Sequence, residues 1–356
     1  MPWDDYKQEL TAVALHGRGM DVSQVGGPLV NDLVAMNALR AFTEQEINLM
    51  GGVPAFSTVA WTSSKRVAGR HTWAIPWLVD PRAIFYWRDL FKQAGIDENT
   101  AFLSFAKMEG SFQRLQKIGI EIPWAIPIAG RLAAFQDALT WIWGAGGDIG
   151  DDEITLFHHP QSVNGLANYF KLYRYMPHEG QPMDYDGVEN LFKERRVAVT
   201  MGNLPRFKRL LKMVGPDLAS KIGVALPPGP LFIGSSSLVI WKNTTDERAA
   251  INLVNYLVGE EAQLEFCRLM GYFPARISLL SQPPYSDDPY LSVFTQSTLR
   301  GRTLTAVKLG GLIEDLLSAA IHRIWNKVIA DPEVDIRRAI LEEFDPLVRR
   351  LSLFEG

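Results

Sequence analysis

The stretch that decides the fold is His71-Thr-Trp-Ala-Ile-Pro-Trp-Leu-Val-Asp-Pro-Arg-Ala-Ile-Phe-Tyr-Trp-Arg-Asp-Leu-Phe-Lys-Gln-Ala-Gly95. After Asp80-Pro81-Arg82, residues 83–87 form an apolar run that predicts a buried strand. The residues after this run end at Gly95, which predicts a helix that stops at the glycine. A buried strand that leads directly into a helix is typical of α/β proteins, so this stretch predicts that fold class.

Segments outside this stretch alternate in the same way. The pattern predicts helices at 102–118, 161–175 and 187–194 and strands at 197–201, 224–226 and 238–241. At roughly 100–200 residues per domain, the length of 356 residues favours two domains. Because no flexible Gly/Ser linker divides the chain, we expect it to cross between the domains more than once.

Both ends of the chain are predicted to be helical. Residues 4–17 form an amphipathic segment that stops at Gly17, and a long segment near the C-terminus also has apolar residues at helical spacing. The apolar positions are Tyr6, Leu10, Val13 and Ala14 in the first helix and Leu317, Ile321, Ile324 and Val328 in the second. Capping boxes that predict two further helix starts are Thr43 with Glu46 and Thr244 with Glu247.

Composition and charge exclude several classes of protein. Hydrophobic residues make up 47% and charged residues 21% of the chain, which is typical of globular proteins and argues against general disorder. The 36 Lys and Arg residues are outnumbered by 40 Asp and Glu residues, so the basic excess of nucleic-acid-binding proteins is missing. Cys267 is the one cysteine, which rules out an intrachain disulfide and predicts a small buried hydrophobe. No apolar run approaches the roughly 18 residues that span a bilayer.

No motif supports catalysis, a metal ion or a cofactor. The glycine-rich segment 141–150 has Ile149 where a dinucleotide loop needs glycine, and it follows a helix, so helix capping explains it better. Residues 234–238 lack the second glycine of a nucleophile elbow, and the six histidines show no metal-ligand spacing. Asp151-Asp152-Glu153 could contain the acid/base pair of a glycosidase, but consecutive acids in a loop are more often solvated.

Several segments, in a fixed order, resemble the family 1 extracellular solute-binding proteins, the maltose-binding-protein-like group. In that family a Pro-aromatic-x-x-acid-x-Arg segment crosses from the first lobe to the second, and residues 76–82 resemble it. The other segments that resemble the family are 17–22, 141–147, 191–203, 234–240 and 271–276. Arg195 departs from the pattern, because the family usually has glycine there.

The resemblance implies a two-lobed α/β fold of the periplasmic-binding-protein type (class II), with a ligand cleft between the lobes. Lobe one is predicted to comprise 1–77 plus 236–272, and lobe two 80–233 plus 278–356. Hinges are predicted near 77–80, 233–236 and 272–277. Residues 1–20 lack the pattern of a signal peptide. The secretion signal, first strand and first helix of the family would therefore precede Met1, and lobe one is expected to be incomplete at its start.

The resemblance also implies which residues contact a ligand. A sugar offers apolar C–H faces and hydroxyl groups, so a binder needs aromatic rings together with charged or amide groups. Trp77 is the leading candidate for a stacking ring, although each candidate tryptophan could instead be a core residue. Asp80 and Arg82 could bond hydroxyls or form an ion pair that ties the lobes. The complete set of candidates is Trp73, Trp77, Asp80, Arg82, Trp141, Trp143, Asn203, Arg206, Ser235 and Ser236.

The function that the resemblance implies is that of the solute-binding component of an ABC transporter. Such a protein would be an extracytoplasmic monomer without catalytic residues, metal or cofactor. It would capture a sugar or oligosaccharide-like solute and deliver it to permease subunits in the membrane. Two alternatives stay open, a carbohydrate-active enzyme and a leaderless cytosolic sugar sensor. The sequence does not name the sugar, because loop geometry decides which hydroxyl stereochemistry is accepted.

Overall fold

The computed structural model of the protein describes residues 3–17, 19–64, 71–150, 156–178, 182–304 and 310–351. The chain divides into two compact units, each built from more than one segment. Unit one comprises Met1–Pro81 and Ile233–Ile313, and unit two comprises Arg82–Phe232 and Glu314–Gly356. Asp151-Asp152-Glu153, considered above as an acid/base pair, lies outside the described residues.

Strands and helices alternate along the described chain, as the sequence predicts. The strands are β1 Val22–Gly26, β2 Leu39–Arg40, β3 Ile75–Asp80, β4 Arg82–Trp87, β5 Ile122–Ala125, β6 Val197–Asn203, β7 Ile222–Ala225, β8 Gly234–Trp241 and β9 Phe273–Pro274. The helices up to the middle of the chain are α1 Trp3–His16, α2 Gly27–Ala35, α3 Glu44–Leu49, α4 Thr58–Ser64, α5 Arg88–Gln93, α6 Phe105–Lys117, α7 Arg131–Gly144, α8 Pro160–Lys171 and α9 Tyr185–Lys193. Those that follow are α10 Leu204–Val214, α11 Pro216–Ala219, α12 Glu247–Leu257, α13 Glu260–Met270, α14 Ile277–Leu280, α15 Leu291–Arg300, α16 Gly310–Ala330 and α17 Ile336–Leu351. Short 3₁₀ turns are Val53–Ala55 and Leu172–Tyr175. None of the described helices is long and apolar enough to cross a membrane.

The unit-one sheet is organised around β8. Its strand order is β1-β8-β3-β9, with β2 also paired to β8, and all of these pairings are antiparallel. The helix face predicted from the N-terminal pattern packs on this sheet, with Leu10 buried and Tyr6, Val13 and Ala14 partly buried beside it. The helix ends at His16, and Gly17 has a positive φ of 61°, so the predicted stop is confirmed.

The unit-two sheet has the order β5-β6-β4-β7. β4 is antiparallel to β6 and β7, whereas β5 runs parallel to β6. All six residues of β4 are buried, which explains why residues 83–87 form a continuous apolar run rather than an alternating pattern. Trp87 at its end stacks on Phe192 with ring centroids 4.9 Å apart. The predicted buried strand in the deciding stretch is therefore confirmed.

Helix starts follow the capping chemistry of the sequence in one case and depart from it in another. The predicted capping box of Thr43 and Glu46 is present at the start of α3. The box predicted for Thr244 is wrong, because the Asp246 side chain caps α12 by accepting from the Ala249 amide. The Thr244 hydroxyl donates instead to the Asp21 carboxylate, at 2.6 Å.

The third boundary between the units differs from the predicted one. The sequence placed the last crossing at 272–277, whereas the structure assigns residues 278–313 to unit one and changes unit between Ile313 and Glu314. The physical reason is packing, because Tyr285 and Phe294 lie against Phe273 with ring centroids 4.9 and 6.1 Å apart. The chain crosses inside the continuous helix α16, where no turn signal marks the change.

Arg195 occupies the position where the family pattern has glycine. Its φ of 62° lies in the left-handed region that glycine favours, so the departure has a conformational cost. Contacts of the Arg195 side chain offset this cost. Its guanidinium lies 4.5 Å from the Trp87 ring centroid, in a cation–π contact. The guanidinium also donates to both carboxylate oxygens of Asp89, each at 2.8 Å.

Gly165 on α8 permits close packing against α7 and provides a test of that contact. A Cβ on Gly165 would lie 2.4 Å from the Trp141 carbonyl oxygen and 2.6 Å from the Ile142 Cα, both backbone atoms. We expect Gly165→Ala to lower the free energy of unfolding, measured in urea, by about 2–4 kcal/mol. Gly110→Ala in α6 is the matched control, because nothing lies within 4 Å of its added Cβ. The control should raise stability by about 0.5–1 kcal/mol, and equal effects in both variants would contradict the packing argument.

Candidate ligand-binding residues

Two strands of unit one bring several of the predicted residues to one end of its sheet. β3 ends at Asp80, and β8 begins at Gly234, which is the register partner of Asp80. A Cβ on Gly234 would lie 3.3 Å from the Asp80 Cβ, so glycine lets the two backbones approach here. Ser235 and Ser236 follow directly on β8, opposite Val79 and Leu78. Backbone pairing therefore gathers Asp80, Ser235 and Ser236.

Uncharged polar side chains from β1 and α4 form hydrogen bonds with successive serines of β8 at this end of the sheet. We call Gln24, Ser63, Ser235 and Ser236 the hydroxyl–amide cluster. The Gln24 Nε2 donates to the Ser236 Oγ at 2.8 Å, and the Ser235 hydroxyl donates to the Ser63 Oγ. The Ser63 hydroxyl in turn donates to the Ala60 carbonyl oxygen at 2.8 Å. The cluster thus consists of two separate neutral pairs, Gln24 with Ser236 and Ser235 with Ser63, one on each face of β8, and each pair fixes its own side chains.

The neighbouring serine pair has a different, structural role. Ser64 and Ser237 are buried, and their Oγ atoms lie 2.6 Å apart. Each hydroxyl satisfies the other inside the protein, as buried polar groups require. This pair holds α4 against β8.

Arg82 forms a buried ion pair within unit two. Its Nη1 contacts Asp137 Oδ1, and its Nη2 donates to Gln136 Oε1 at 2.6 Å. The side chains of Arg82 and Asp137 are only 9% and 4% exposed. Burial raises the pKa of Asp137 to about 6, although the Arg82 guanidinium opposes the shift. The Arg82 guanidinium is therefore paired with a carboxylate of its own unit.

Two further predicted residues adjoin Arg82. Asn203 on β6 is its register partner, and the guanidinium lies 5.8 Å from the Phe232 ring centroid. Trp143 stacks on the same Phe232 ring, with centroids 6.4 Å apart, and donates from Nε1 to Asp148. The structure therefore brings Arg82, Asn203 and Trp143 into one neighbourhood of unit two.

Asn203 and Arg206 have local structural partners. The Asn203 side chain caps α10 by accepting from the Arg206 amide at 3.2 Å. The Arg206 guanidinium pairs with the buried Glu189 carboxylate at 2.9 Å and lies 3.7 Å from the Tyr185 ring centroid. Arg209 pairs with the same carboxylate, also at 2.9 Å. These contacts pack α9 against α10, so Asn203 and Arg206 both have structural roles.

Trp77, the leading aromatic candidate, lies inside unit one. It is the extra residue of a β-bulge in β3, between Pro76 and Leu78. Its side chain packs on Phe266 with ring centroids 4.7 Å apart, and the residue is 7% exposed. These contacts favour a packing role, and stacking of Trp77 on a sugar stays a prediction.

The other tryptophans differ in how much of the ring is accessible. Trp141 is 5% exposed and packs between Trp124 and Tyr169, at 6.2 and 5.5 Å. Trp73 is only half-buried and packs against the apolar core of unit one, with the His71 ring edge-on at 6.1 Å. Trp73 therefore retains more open surface than the other three candidates.

Sequence reasoning missed three polar residues near the predicted ones. Gln24 belongs to the hydroxyl–amide cluster, and Gln136 accepts from Arg82. Tyr272 is half-buried, and burial together with the nearby Asp80 carboxylate raises the pKa of its phenol. Tyr272 lies within segment 271–276, which resembled the family. The two glutamines carried no motif signal, although Gln24 is a half-buried residue on a strand of alternating burial.

Trp77→Ala tests the packing interpretation. Loss of a buried indole should lower the free energy of unfolding by about 3–5 kcal/mol, because it leaves a cavity against Phe266. Trp73→Ala is the control, and its half-buried ring should cost clearly less. Urea unfolding of both variants measures the difference. A loss below about 1 kcal/mol for Trp77→Ala would overturn the core assignment.

Arg82→Met tests the buried ion pair through its pH dependence. Removing one partner strands the Asp137 carboxylate, so stability at pH 7.5 should fall by about 3–5 kcal/mol. A buried carboxyl whose pKa is above its unfolded value gains stability as it is protonated, so part of this loss should be recovered at pH 5.

Urea unfolding at the two pH values measures this recovery. Arg338→Met is the control, because Arg338 is 77% exposed and its pair with Glu342 should contribute less than about 1 kcal/mol. A loss for Arg82→Met that is identical at both pH values would contradict the role of Asp137.

Comparison with known proteins agrees with this architecture. The sequence matches the bacterial extracellular solute-binding protein family over residues 1–264. A binding protein of Brucella abortus is 24% identical over 338 residues, covering 91% of this chain and 79% of the relative. An ABC transporter-binding protein of Deinococcus radiodurans is 24% identical over 272 residues, covering 71% of this chain and 64% of the relative.

The fold is also found among solved structures. The sugar-binding protein MalE of Xanthomonas citri superposes with a TM-score of 0.85 at 19% identity, covering 99% of this chain and 89% of that one. At this identity the likeness establishes the two-lobed α/β fold, while the sequence match establishes the family. The chain belongs to the bacterial extracellular solute-binding proteins.

Proposed function

We propose that this protein captures a sugar or oligosaccharide-like solute and delivers it to the permease of an ABC transporter. The observation that carries the proposal is the hydroxyl–amide cluster, which lies with Asp80 at the strand ends where the chain leaves and re-enters unit one. A solute that is to touch both units must lie close to the segments that join them. Membership of an extracellular solute-binding family supports the same function.

The chemistry of these residues suits a sugar. Hydroxyls and amides exchange hydrogen bonds with sugar hydroxyls, and aromatic rings cover the apolar C–H faces. Trp73 and Tyr272 are half-buried and supply candidate rings in unit one. Covering roughly 100 Å² of apolar surface contributes about 2.5 kcal/mol per ring. Two rings and several hydrogen bonds would reach micromolar affinity, about −8 kcal/mol, after the costs of association.

Capture would work by a shift of population. The segments around Pro81 and between Phe232 and Ile233 join the units and are the proposed hinges. Solute favours a closed arrangement, because only there can residues of both units hold it. The permease subunits would then recognise the closed form. The proposed setting is outside the cytoplasm, with the protein acting as a monomer.

Two other functions make different demands on the chain. A carbohydrate-active enzyme needs two carboxyl groups facing each other across the substrate. The two buried carboxylates described above, Asp137 and Glu189, are both paired with arginines, which suits a structural role better than acid/base work. A cytosolic sensor would bind the same sugar without a permease. Because the family is one of extracellular proteins, membership of it favours the transport function.

Binding without chemistry is the direct test. Calorimetry against a panel of neutral mono- to tetrasaccharides should give one site per chain. Chromatography after prolonged incubation should recover the bound saccharide unchanged. Asp80→Asn should weaken binding, whereas Asp97→Asn, in an exposed turn that asparagine also caps, should leave it unchanged. Steady hydrolysis, or no binding to any saccharide, would overturn the proposed function.

A further inference from the structure

Two side chains on one face of α16 have buried polar atoms with unused hydrogen-bonding capacity. Ser318 is only 5% exposed, and neither its hydroxyl nor the Nδ1 of His322 has a hydrogen-bond partner within the part of the chain that the structure describes. The two residues are one helical turn apart, so their side chains lie on the same side of α16. Because buried polar groups are normally hydrogen-bonded, these two atoms are candidates for binding a polar solute.

Ring contacts place this side of α16 beside the start of α7. Trp325, one turn after His322, meets the Tyr169 ring edge-on at 5.2 Å. The Tyr169 hydroxyl donates to the carbonyl oxygen of Ala134, in the first turn of α7, at 3.1 Å. That helix begins at Arg131. Burial and the charge of the Arg131 guanidinium lower the pKa of His322, so the two side chains interact.

The charge of Arg131 is available to a solute. Its side chain is exposed and has no carboxylate partner among the described residues. The acid on the same helix, Asp137, is held by Arg82. By contrast, Arg323 of α16 pairs with Glu343 on α17, at 2.6 Å. Arg131 therefore differs from its neighbours in that no acid of the protein neutralises it.

The start of α7 adds to this positive character. Gly130 at the N-cap has no side chain that could accept from the first amides, where the positive end of the helix dipole lies. An arginine in the first turn is disfavoured by that dipole, whereas an anion would balance both. Glu314, a buried acid on α16, precedes His322 by eight residues, or about 12 Å along the helix. An anion would therefore bind at the His322 end of this face.

We infer that Arg131, Ser318 and His322 form a site in unit two for an anionic group of the solute, a phosphate or a carboxylate. The guanidinium and the first amides of α7 supply charge-assisted hydrogen bonds, and the hydroxyl and the imidazole supply further polar contacts. The inference rests on the proposed function and deepens it, because such a site selects phosphorylated or acidic saccharides over their neutral counterparts.

The test compares neutral and anionic forms of the same saccharide by calorimetry. The probes are glucose and maltose, each with its 6-phosphate and with the form in which a primary hydroxyl is oxidised to a carboxylate. A phosphate-free buffer of constant ionic strength keeps screening equal. At least one anionic form should bind the wild type at least about tenfold more tightly than its neutral parent. The phosphate and carboxylate forms show which of the two groups the site prefers.

Variants then assign this preference to the site. Arg131→Met keeps the length of the side chain but removes its charge, and it should reduce the preference to less than about threefold. Arg131→Lys keeps the charge and should retain more of the preference. Ser318→Ala removes one hydrogen bond and should lower the preference by about 3- to 10-fold. Lys171→Met is the matched control, because Lys171 is an exposed cation of the same unit in the last turn of α8, and its preference should equal that of the wild type within about twofold.

Thermal melting without solute checks that each variant is folded. If a saccharide binds but no anionic form is preferred over its parent, the inference is overturned and sugar binding stands. The same conclusion follows if either Arg131→Met or Ser318→Ala keeps the wild-type preference. If none of the six compounds binds, the anion site falls, and the wider panel of neutral saccharides decides sugar binding separately.

Discussion

A single residue, Pro81, separates two strands that belong to different sheets, and the rest of the structure depends on this join. β3 ends at Asp80 in the sheet of unit one, and β4 begins at Arg82 in the sheet of unit two. Each strand is fixed by backbone pairing with its own sheet, Asp80 opposite Gly234 and Arg82 opposite Asn203. The polar side chains at the join are therefore held by two independent sheets.

The two units differ in how the polar side chains near the join are hydrogen-bonded. Unit two buries a full charge at the join and neutralises it internally, because Arg82 contacts Asp137 and Gln136. Beside the Asp80 carboxylate, unit one presents neutral hydroxyl and amide groups that are fixed by hydrogen bonds, as Gln24 and Ser236 illustrate. A buried ion pair specifies a conformation, whereas a partly satisfied neutral group can still bind a solute. The proposed recognition of a sugar therefore depends more on unit one than the charged residues of the crossover suggested.

Much of the fold was predictable because its signals are local. The continuous apolar run of β4, the face of α1 and the capping box at Thr43 follow from periodicity and spacing within a few residues. Arg195, which stands where the family pattern has glycine, adopts a left-handed backbone conformation that glycine would favour. The Thr244 capping box failed because a nearer competitor, Asp246, caps the same helix. Where two residues could cap the same helix, the geometry of the turn decides which of them does.

The sequence by itself determined the α/β class, the order of its elements and the family, since these depend on periodicity and on the order of motifs along one chain. Only the tertiary structure decided that Arg82 pairs with a carboxylate 55 residues away and that the last crossing lies inside α16. It also decided that Gln24 meets Ser236, 212 residues further along. Contacts between distant segments produce no periodic pattern in the sequence, because sheet register and packing determine which residues meet.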